Sequence, residues 1–389
     1  MYIGYLMKKE VLALSMMAAA TVAHAQSSVT LYGRIDNGIQ YETGLPGGHA
    51  WAAQSGNWGC SWFGLEGAED LGGGTKAVFQ LEGQLNTMTG ASAGNLFGRH
   101  ATVGFTNDRF GLFKMGNLGA GELSQDSWGT DPQLMQRYAI STLVRGRNWA
   151  STSNGAEYNS PVLLGGLVLK GQYSLTNNTS WNSAPNNAQG VPTGQGRTNA
   201  VEGIYTFGSG DFRVIYDEVR GANGSFNNVY SASRSILAGG TYVFGPVKLY
   251  AGYQHLSAPD ATNSSMGVSD ASQPIGVSAP TSVNHEWVGA AWQVTTATAI
   301  TGAVFHANAN NGNGNATLFT LAATYALSKR TFLYTEAGYV HNSSTSNLNL
   351  GNGPYGNNNF DAATNTSSNS NPNYGQSQTG VFAGIMTTF

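Results

Sequence analysis

The chain has 389 residues, only 10% of them charged, a net charge of −3 and 53 glycines. Soluble domains carry roughly 25% charged residues, so an ordinary water-facing exterior is hard to build from this composition. There is no basic excess to mark a nucleic-acid partner, and the single cysteine, Cys60, excludes an intrachain disulfide.

The first predicted element is an export signal. Lys8 and Lys9 precede an apolar run from Val11 to Ala23, and Ala23-His24-Ala25 puts small residues at −3 and −1. The run is shorter than the ~20 residues a membrane helix needs. Residues 1–25 therefore read as a signal peptide and 26–389 as one β-barrel unit, with Met7 an alternative to Met1 as the start. Cys60 has no nearby basic or histidine residue to activate it and is expected as a small filler on a strand.

Beyond the signal the hydrophobic period is two, the period of a strand with unlike faces. In 75–86, Ala77, Phe79, Leu81 and Leu85 oppose Lys76, Gln80, Glu82, Gln84 and Asn86. In 247–254, Leu249, Ala251 and Tyr253 oppose Lys248, Tyr250 and Gln254. Sixteen such segments begin near Val29, Trp58, Thr75, Leu96, Gly111, Asn154, Leu167, Thr198, Phe212, Ser233, Val247, Val283, Thr298, Ala316, Thr331 and Thr379. Their connections alternate between short ones, such as "GSGD" at 208–211 and "FGP" at 244–246, and long ones near 119–153, 177–197, 258–282 and 345–378. Glycine, asparagine, aspartate and proline in the gaps are turn chemistry. Low charge, alternation and asymmetric connections together predict an all-β fold: a transmembrane antiparallel up-and-down barrel of sixteen strands around an aqueous channel. Val381, Ala383, Ile385 and Thr387 form one face of the last strand, which must pair with the first so that no edge meets lipid. Phe389 then falls in an interfacial aromatic girdle.

"SSVTLYGRIDNGI" at 27–39, "FGLEGAEDLGGGTKAVFQLEGQLN" at 63–86, "LFGRHATVGF" at 96–105, "YNSP" at 158–161 and the terminal Phe389 resemble Gram-negative general diffusion porins. The resemblance implies a homotrimer in outer-membrane lipid, a third extracellular loop folded inward, and loop acids facing a basic ladder on the wall. It also implies that Phe389 is read by the outer-membrane assembly machinery. The inward loop would lie within 118–152, with Glu122, Asp126 and Asp131 as its acids. Arg99 matches the family's wall arginine, whereas Trp62 and Glu66 stand where basic residues are usual, and Arg145 and Arg147 are the nearest candidates for a further one.

Parity gives a second, independent placement. If Leu31 and Ile39 face lipid, Tyr32, Arg34 and Asp36 face the lumen, as do Lys76, Glu82, Lys170, Arg213, Asp217, Lys248 and Glu336. A charge toward lipid costs about 2–4 kcal/mol at the midplane. The same reasoning puts His100 on the outer wall, and Gly98, Thr102 and Gly104 outward as a close-packing surface between subunits. The function expected is passive diffusion of small hydrophilic solutes and ions, with weak selectivity or cation preference and no cofactor or metal. The alternative is a channel preferring sugars or aromatic solutes, with Trp58, Trp62, Trp128 and Trp149 as candidate contacts. An enzyme would have to use "GASAG" at 90–94 with Ser92 as nucleophile, but that segment lacks the strand–turn–helix setting the motif requires. A surface adhesin is the remaining alternative.

Overall fold

The structure is a computed structural model, described here for residues 28–119, 123–150, 152–174, 198–221, 224–268, 273–351 and 371–389. The expected signal, 1–25, lies outside the described residues, as does Glu122.

Eighteen extended segments form one antiparallel sheet: β1 (Ser28–Leu45), β2 (Gly48–Ser55), β3 (Ser61–Gly72), β4 (Thr75–Asn86), β5 (Ala91–Ser92), β6 (His100–Asn107), β7 (Gly111–Asn117), β8 (Gly155–Asn159), β9 (Leu167–Ser174), β10 (Thr198–Phe207), β11 (Gly210–Val219), β12 (Arg234–Phe244), β13 (Val247–Ser257), β14 (Ser282–Gln293), β15 (Thr298–Ala309), β16 (Ala316–Ala326), β17 (Thr331–Asn342) and β18 (Gln378–Thr388). They make sixteen transmembrane strands. β2 and β3 pair in turn with the upper and lower parts of β1, so they are one strand interrupted at 56–60. β5 and β6 both pair with β4 in the same way. The interruption at 56–60 is where Cys60 sits, with a left-handed φ of 42° rather than on a strand as expected.

The sheet closes on itself. β1 pairs with β18 from Arg34↔Thr388 to Glu42↔Gly380. Beyond the ladder, the Phe389 N–H donates to the Gly33 carbonyl at 3.1 Å and the Gly33 N–H returns the bond at 3.2 Å. A Cβ on Gly33 would lie 2.7 Å from Phe389 Cζ, so the terminal ring lies over a glycine that leaves room for it. From Gly33 to Glu42 the first strand is therefore paired with the last, so no edge is left open there to lipid, as a bilayer requires.

Connections at one end are short (73–74, 108–110, 160–166, 208–209, 245–246, 294–297 and 327–330), whereas 118–154, 220–233, 258–281 and 343–377 join strands at the other end. The turn between β3 and β4 is made by Gly72, Gly73 and Gly74, all at positive φ, a conformation glycine adopts without strain. Along the outer face run exposed apolar residues: Leu31, Ile39, Val103, Phe105, Val201, Val288, Val381 and Ile385.

Parity corrects two of the expected placements. Glu82 is opposite His100 in the ladder and Gln80 is opposite Thr102, so His100, Thr102 and Gly104 share the inner face. Val103 and Phe105 take the outer one, and the small-residue packing surface expected there is absent from this strand.

The inner face is not uniformly polar. On β1–β9 it carries Tyr32, Arg34, Trp62, Glu66, Gln80, Glu82, Lys114, Glu157 and Lys170. On β12–β18 it carries Leu237, Leu256, Val283, Trp287, Phe305, Leu318, Val340 and Phe382, all buried. These join Tyr138, Ile140, Leu143 and Val144 from 118–154, Phe226 and Val229 from 220–233, and Leu348 and Leu350 from 343–377 in one hydrophobic cluster. One side of the barrel is therefore sealed by packed apolar contact, and the other is lined by charged side chains, of which Glu66 is exposed while Glu82 and Glu157 are buried.

Candidate functional site: the third long connection and the charged wall

Segment 118–154 links β7 to β8 and is the third connection at its end of the barrel. It begins with a 3₁₀ helix, Leu123–Thr130, in which Leu123, Ser127 and Thr130 are fully buried. Asp126 pairs with Lys170 of β9, and Arg213 of β11 donates to the Asp126 carbonyl at 2.8 Å. The Trp287 indole N–H of β14 donates to the Thr130 carbonyl at 2.8 Å.

Inward-facing glycines make the seat for this segment. A Cβ on Gly239 of β12 would lie 2.9 Å from Thr130 Cγ2, one on Gly289 of β14 would lie 2.7 Å from Pro132 Cβ, and one on Gly338 of β17 would lie 2.6 Å from the Tyr138 ring. A missing side chain on the wall is thus occupied each time by a side chain of the segment. Glycine in a strand interior often marks such close approach.

Asp131 knots the segment rather than presenting a charge. It is fully buried, and its carboxylate accepts backbone N–H bonds from Gln133 (3.0 Å), Met135 (2.9 Å) and Ile140 (3.1 Å). Complete burial pushes its pKa from 3.8 up to about 6, outweighing the three donors. Because the folded value is raised, the neutral acid favours the fold. That contribution is full below about pH 4 and is lost as pH rises through 6. The seat of residues 131–140 is therefore expected to loosen by on the order of 2–3 kcal/mol between pH 4 and 7.5. Amide exchange of Met135 and Ile140, corrected for intrinsic rates, measures this. Asp131→Asn should abolish the pH dependence.

Arg145 and Arg147 are loop anchors, not wall residues. Arg145 Nη2 donates to Asn347 Oδ1 at 2.8 Å, and its guanidinium carbon lies 5.6 Å from the Tyr230 ring centroid. Arg147 pairs with Asp217 of β11 and donates to Ser233 Oγ at 2.8 Å and to the Ser233 carbonyl at 3.1 Å.

Of the residues singled out on early strands, Arg34 and Arg99 meet at Trp62. Trp62 lies between two guanidinium groups, Arg34 at 5.4 Å and Arg99 at 5.5 Å from its ring centroid, and meets Tyr32 edge-on at 5.3 Å. Arg99 is ion-paired with Glu82, and Arg34 Nε donates to the Cys60 carbonyl at 2.9 Å. Asp36 is buried and accepts bonds from the Gly59 N–H (2.8 Å) and the Tyr334 hydroxyl. Glu66 is exposed on the same face. Of the other three candidate tryptophans, Trp58 packs on Phe332 and Tyr334, Trp149 packs on the hydrophobic cluster, and Trp128 is 52% exposed.

Opposite charges are paired along the inner wall. Besides the pairs above, Lys114 lies 3.2 Å from Glu157, Lys170 lies 3.3 Å from Glu202, and Arg213 lies 3.8 Å from Glu202 and 3.2 Å from Asp211. Arg137 of the segment lies 3.8 Å from Glu42. Sequence parity placed Glu82, Lys170, Arg213 and Asp217 on the inner face, but it missed Lys114, Glu157, Glu202 and Asp211 and carried no information on which acid each base would meet.

A closed antiparallel barrel of sixteen strands, apolar outside and charged along one inner wall, defines a channel that crosses the outer membrane. The chain belongs to the Gram-negative porin family, whose model matches residues 12–345. An outer membrane porin protein of Bordetella pertussis is 29% identical over 376 residues, covering 86% of this chain and 95% of that one. Outer membrane porin protein 32 of Delftia acidovorans is 28% identical over 400 residues, covering 98% and 100%. The solved anion-selective porin from Comamonas acidovorans matches with a TM-score of 0.70 at 22% identity, over 94% of this chain and 100% of that one. The protein is an outer-membrane porin, a β-barrel channel for passive diffusion. Family and fold point to a channel rather than an enzyme. Ser92 lies on the exposed pair Ala91–Ser92, its hydroxyl donating to the Gly94 carbonyl at 2.8 Å.

Proposed function

We propose that 118–154 is the inward-folded third loop of a general diffusion porin, and that it narrows the water path against the charged wall of β1–β9. Small hydrophilic solutes and ions pass on that side, because the opposite inner wall is sealed under apolar contact. Arg34, Trp62, Glu66, Arg99 and Asp126 line the narrowing, whereas Asp36, Asp131, Arg145 and Arg147 hold its walls in place.

The observation that carries the selectivity reading is charge compensation. Arg99, Lys114, Lys170 and Arg213 each have a carboxylate within 4 Å. A ring of like charge is what gives a pore strong ion preference, and paired charges leave little net potential. The preference named in the description of the Comamonas acidovorans protein belongs to that protein; here we expect weak selectivity or cation preference. In a tenfold salt gradient across a planar bilayer the reversal potential should be about 15 mV or less, against ~59 mV for ideal selectivity. A strongly anion-selective reversal potential overturns this reading.

Trp128 favours a second reading, preference for solutes with an aromatic or sugar face. A half-exposed indole on a loop pinned by Asp126 and Thr130 is a rigid stacking surface. Micromolar block of single-channel current by an aromatic solute, weakened about tenfold by Trp128→Ala, would support it.

The family reading adds a homotrimer embedded in outer-membrane lipid and recognition of Phe389 by the assembly machinery. Deleting Phe389 removes both the closing backbone pair with Gly33 and that signal. Restoring position 389 as tyrosine should rescue assembly and restoring it as alanine should not; rescue by alanine would mean that the added length, not the ring, is read.

A further inference from the structure

The outer wall carries a charged assembly that the water path does not use. On β11, Arg213 and Asp217 meet segment 118–154, so the alternate residues Tyr216 and Glu218 face outward. Arg234, opposite Glu218 in the ladder, faces outward with Ile236. Arg220 donates to Glu218 Oε2 through Nε (3.1 Å) and Nη2 (2.7 Å), Tyr216 donates to Oε1 at 2.8 Å, and Arg234 Nε lies 3.5 Å from that same oxygen. Both guanidinium carbons stand over the Phe226 ring, at 4.5 Å and 4.3 Å. Two cations therefore share one carboxylate at the outer rim, and the Arg234 side chain remains 46% exposed. The nearby Asp260 is turned away, its carboxylate accepting the Phe226 N–H at 2.9 Å.

Below this rim the same outer face opens into a groove of about 1050 Å³, lined by Phe212, Gly240, Leu249, Ala251, Val288 and Val304. Tyr253, Glu286 and His306 stand at its upper end. Along β12, Arg234 lies four residues, or about 13 Å, above Ala238 at the head of the groove. His255, opposite Ile236 in the ladder, fills the interval, its Nδ1 2.7 Å from Asn284 Oδ1. Glu286 is opposite His306, two strands away from Arg234, so the positive centre at the rim is local to Arg220 and Arg234.

From bottom to top the order is apolar trough, then Tyr253, Glu286 and His306, then two guanidinium groups sharing the single Glu218 carboxylate. We propose that this face binds one anionic phosphorylated lipid of the surrounding membrane, its acyl chain in the groove and its phosphate against Arg220 and Arg234. Guanidinium suits phosphate because its fork of N–H donors gives short charge-assisted bonds. The proposal rests on the barrel reading, which fixes the outer face, and not on the selectivity of the pore.

Native mass spectrometry of the purified porin in detergent, titrated with dimyristoyl phosphatidic acid or with dimyristoyl phosphatidylcholine, tests it. Wild type should retain one phosphatidic acid with about tenfold preference, the scale of one charge-assisted contact. Arg220→Gln with Arg234→Gln should remove that preference and leave phosphatidylcholine retention as it was. Ala251→Trp, which fills the groove from outside, should lower retention of both lipids. Single-channel conductance should be unchanged in every variant, which separates this site from the pore. Equal retention of the two lipids by wild type overturns the proposal. So does a phosphatidic acid preference that survives loss of both arginines. Should the arginine variant fail to fold, Ala251→Trp with undiminished phosphatidic acid retention overturns it equally.

Discussion

Arg147→Ala is expected to destabilise the folded porin by on the order of 3–5 kcal/mol, the scale for breaking a buried ion pair from one side. Arg147 and Asp217 are 1% and 2% exposed, so the variant strands a carboxylate where water does not reach it. The Ser233 hydroxyl loses its Arg147 donor at the same time, and the Ser233 carbonyl keeps only the Val219 N–H. Replacing both partners by apolar residues, Arg147→Met with Asp217→Leu, should recover most of the loss, because no unpaired charge remains. Thermal unfolding in detergent, followed by the mobility shift of the unfolded chain, reads both variants. If Arg147→Ala melts with the wild type, the pair does not hold the third loop to β11.

The second large effect is on conductance. Valine at Gly289 or Gly338 suits a strand, but its side chain must occupy space already filled by Pro132 or Tyr138. The barrel should form normally while residues 130–140 lift from the wall. Single-channel conductance should then change by about 1.5-fold or more, with added current noise as the loop samples several positions. Gly203→Val is the control. Gly203 shares the outer face with Val201, and a Cβ there meets only Leu169 Cδ2 at an ordinary 3.6 Å. Its conductance should match the wild type.

The strands were legible because lipid imposes one rule on every one of them. Leu249, Ala251 and Tyr253 lie outside while Tyr250 and Gln254 lie inside, so a period of two runs through β13. Where a local break intervenes, parity counting fails. Arg99 precedes the first ladder pair of β6, its N–H bonded to the Glu82 carbonyl at 3.1 Å, so Arg99 and His100 both meet the inner face. The second strand was expected to begin near Trp58, whereas the chain reverses at 46–47 and is only interrupted at 56–60.

The loop's seat could not be read at all. Asp131 looks like a pore acid until the N–H groups of Gln133, Met135 and Ile140 are seen to converge on it. Gly239, Gly289 and Gly338 are indistinguishable in sequence from the many glycines of the turns, and only their neighbours give them a role. Val283, Phe305 and Leu318 face inward, where a water-filled barrel was expected to be polar. Their outward neighbours mix polar residues (Asn284, Glu286, His306, Thr317) with apolar ones (Val304, Phe319), so the usual polar-in, apolar-out contrast is lost here.

The location of the water path is the claim with the widest reach. In a Cys60→Ser background, Glu66→Cys and Leu318→Cys should be exposed in turn to a charged, water-soluble thiol reagent during single-channel recording. Glu66 is accessible on the charged wall and Leu318 is fully buried under the loops. Current through Glu66→Cys should fall stepwise on reaction, and current through Leu318→Cys should be unaffected. Block at Leu318→Cys with none at Glu66→Cys would put the conducting path on the other side of the barrel.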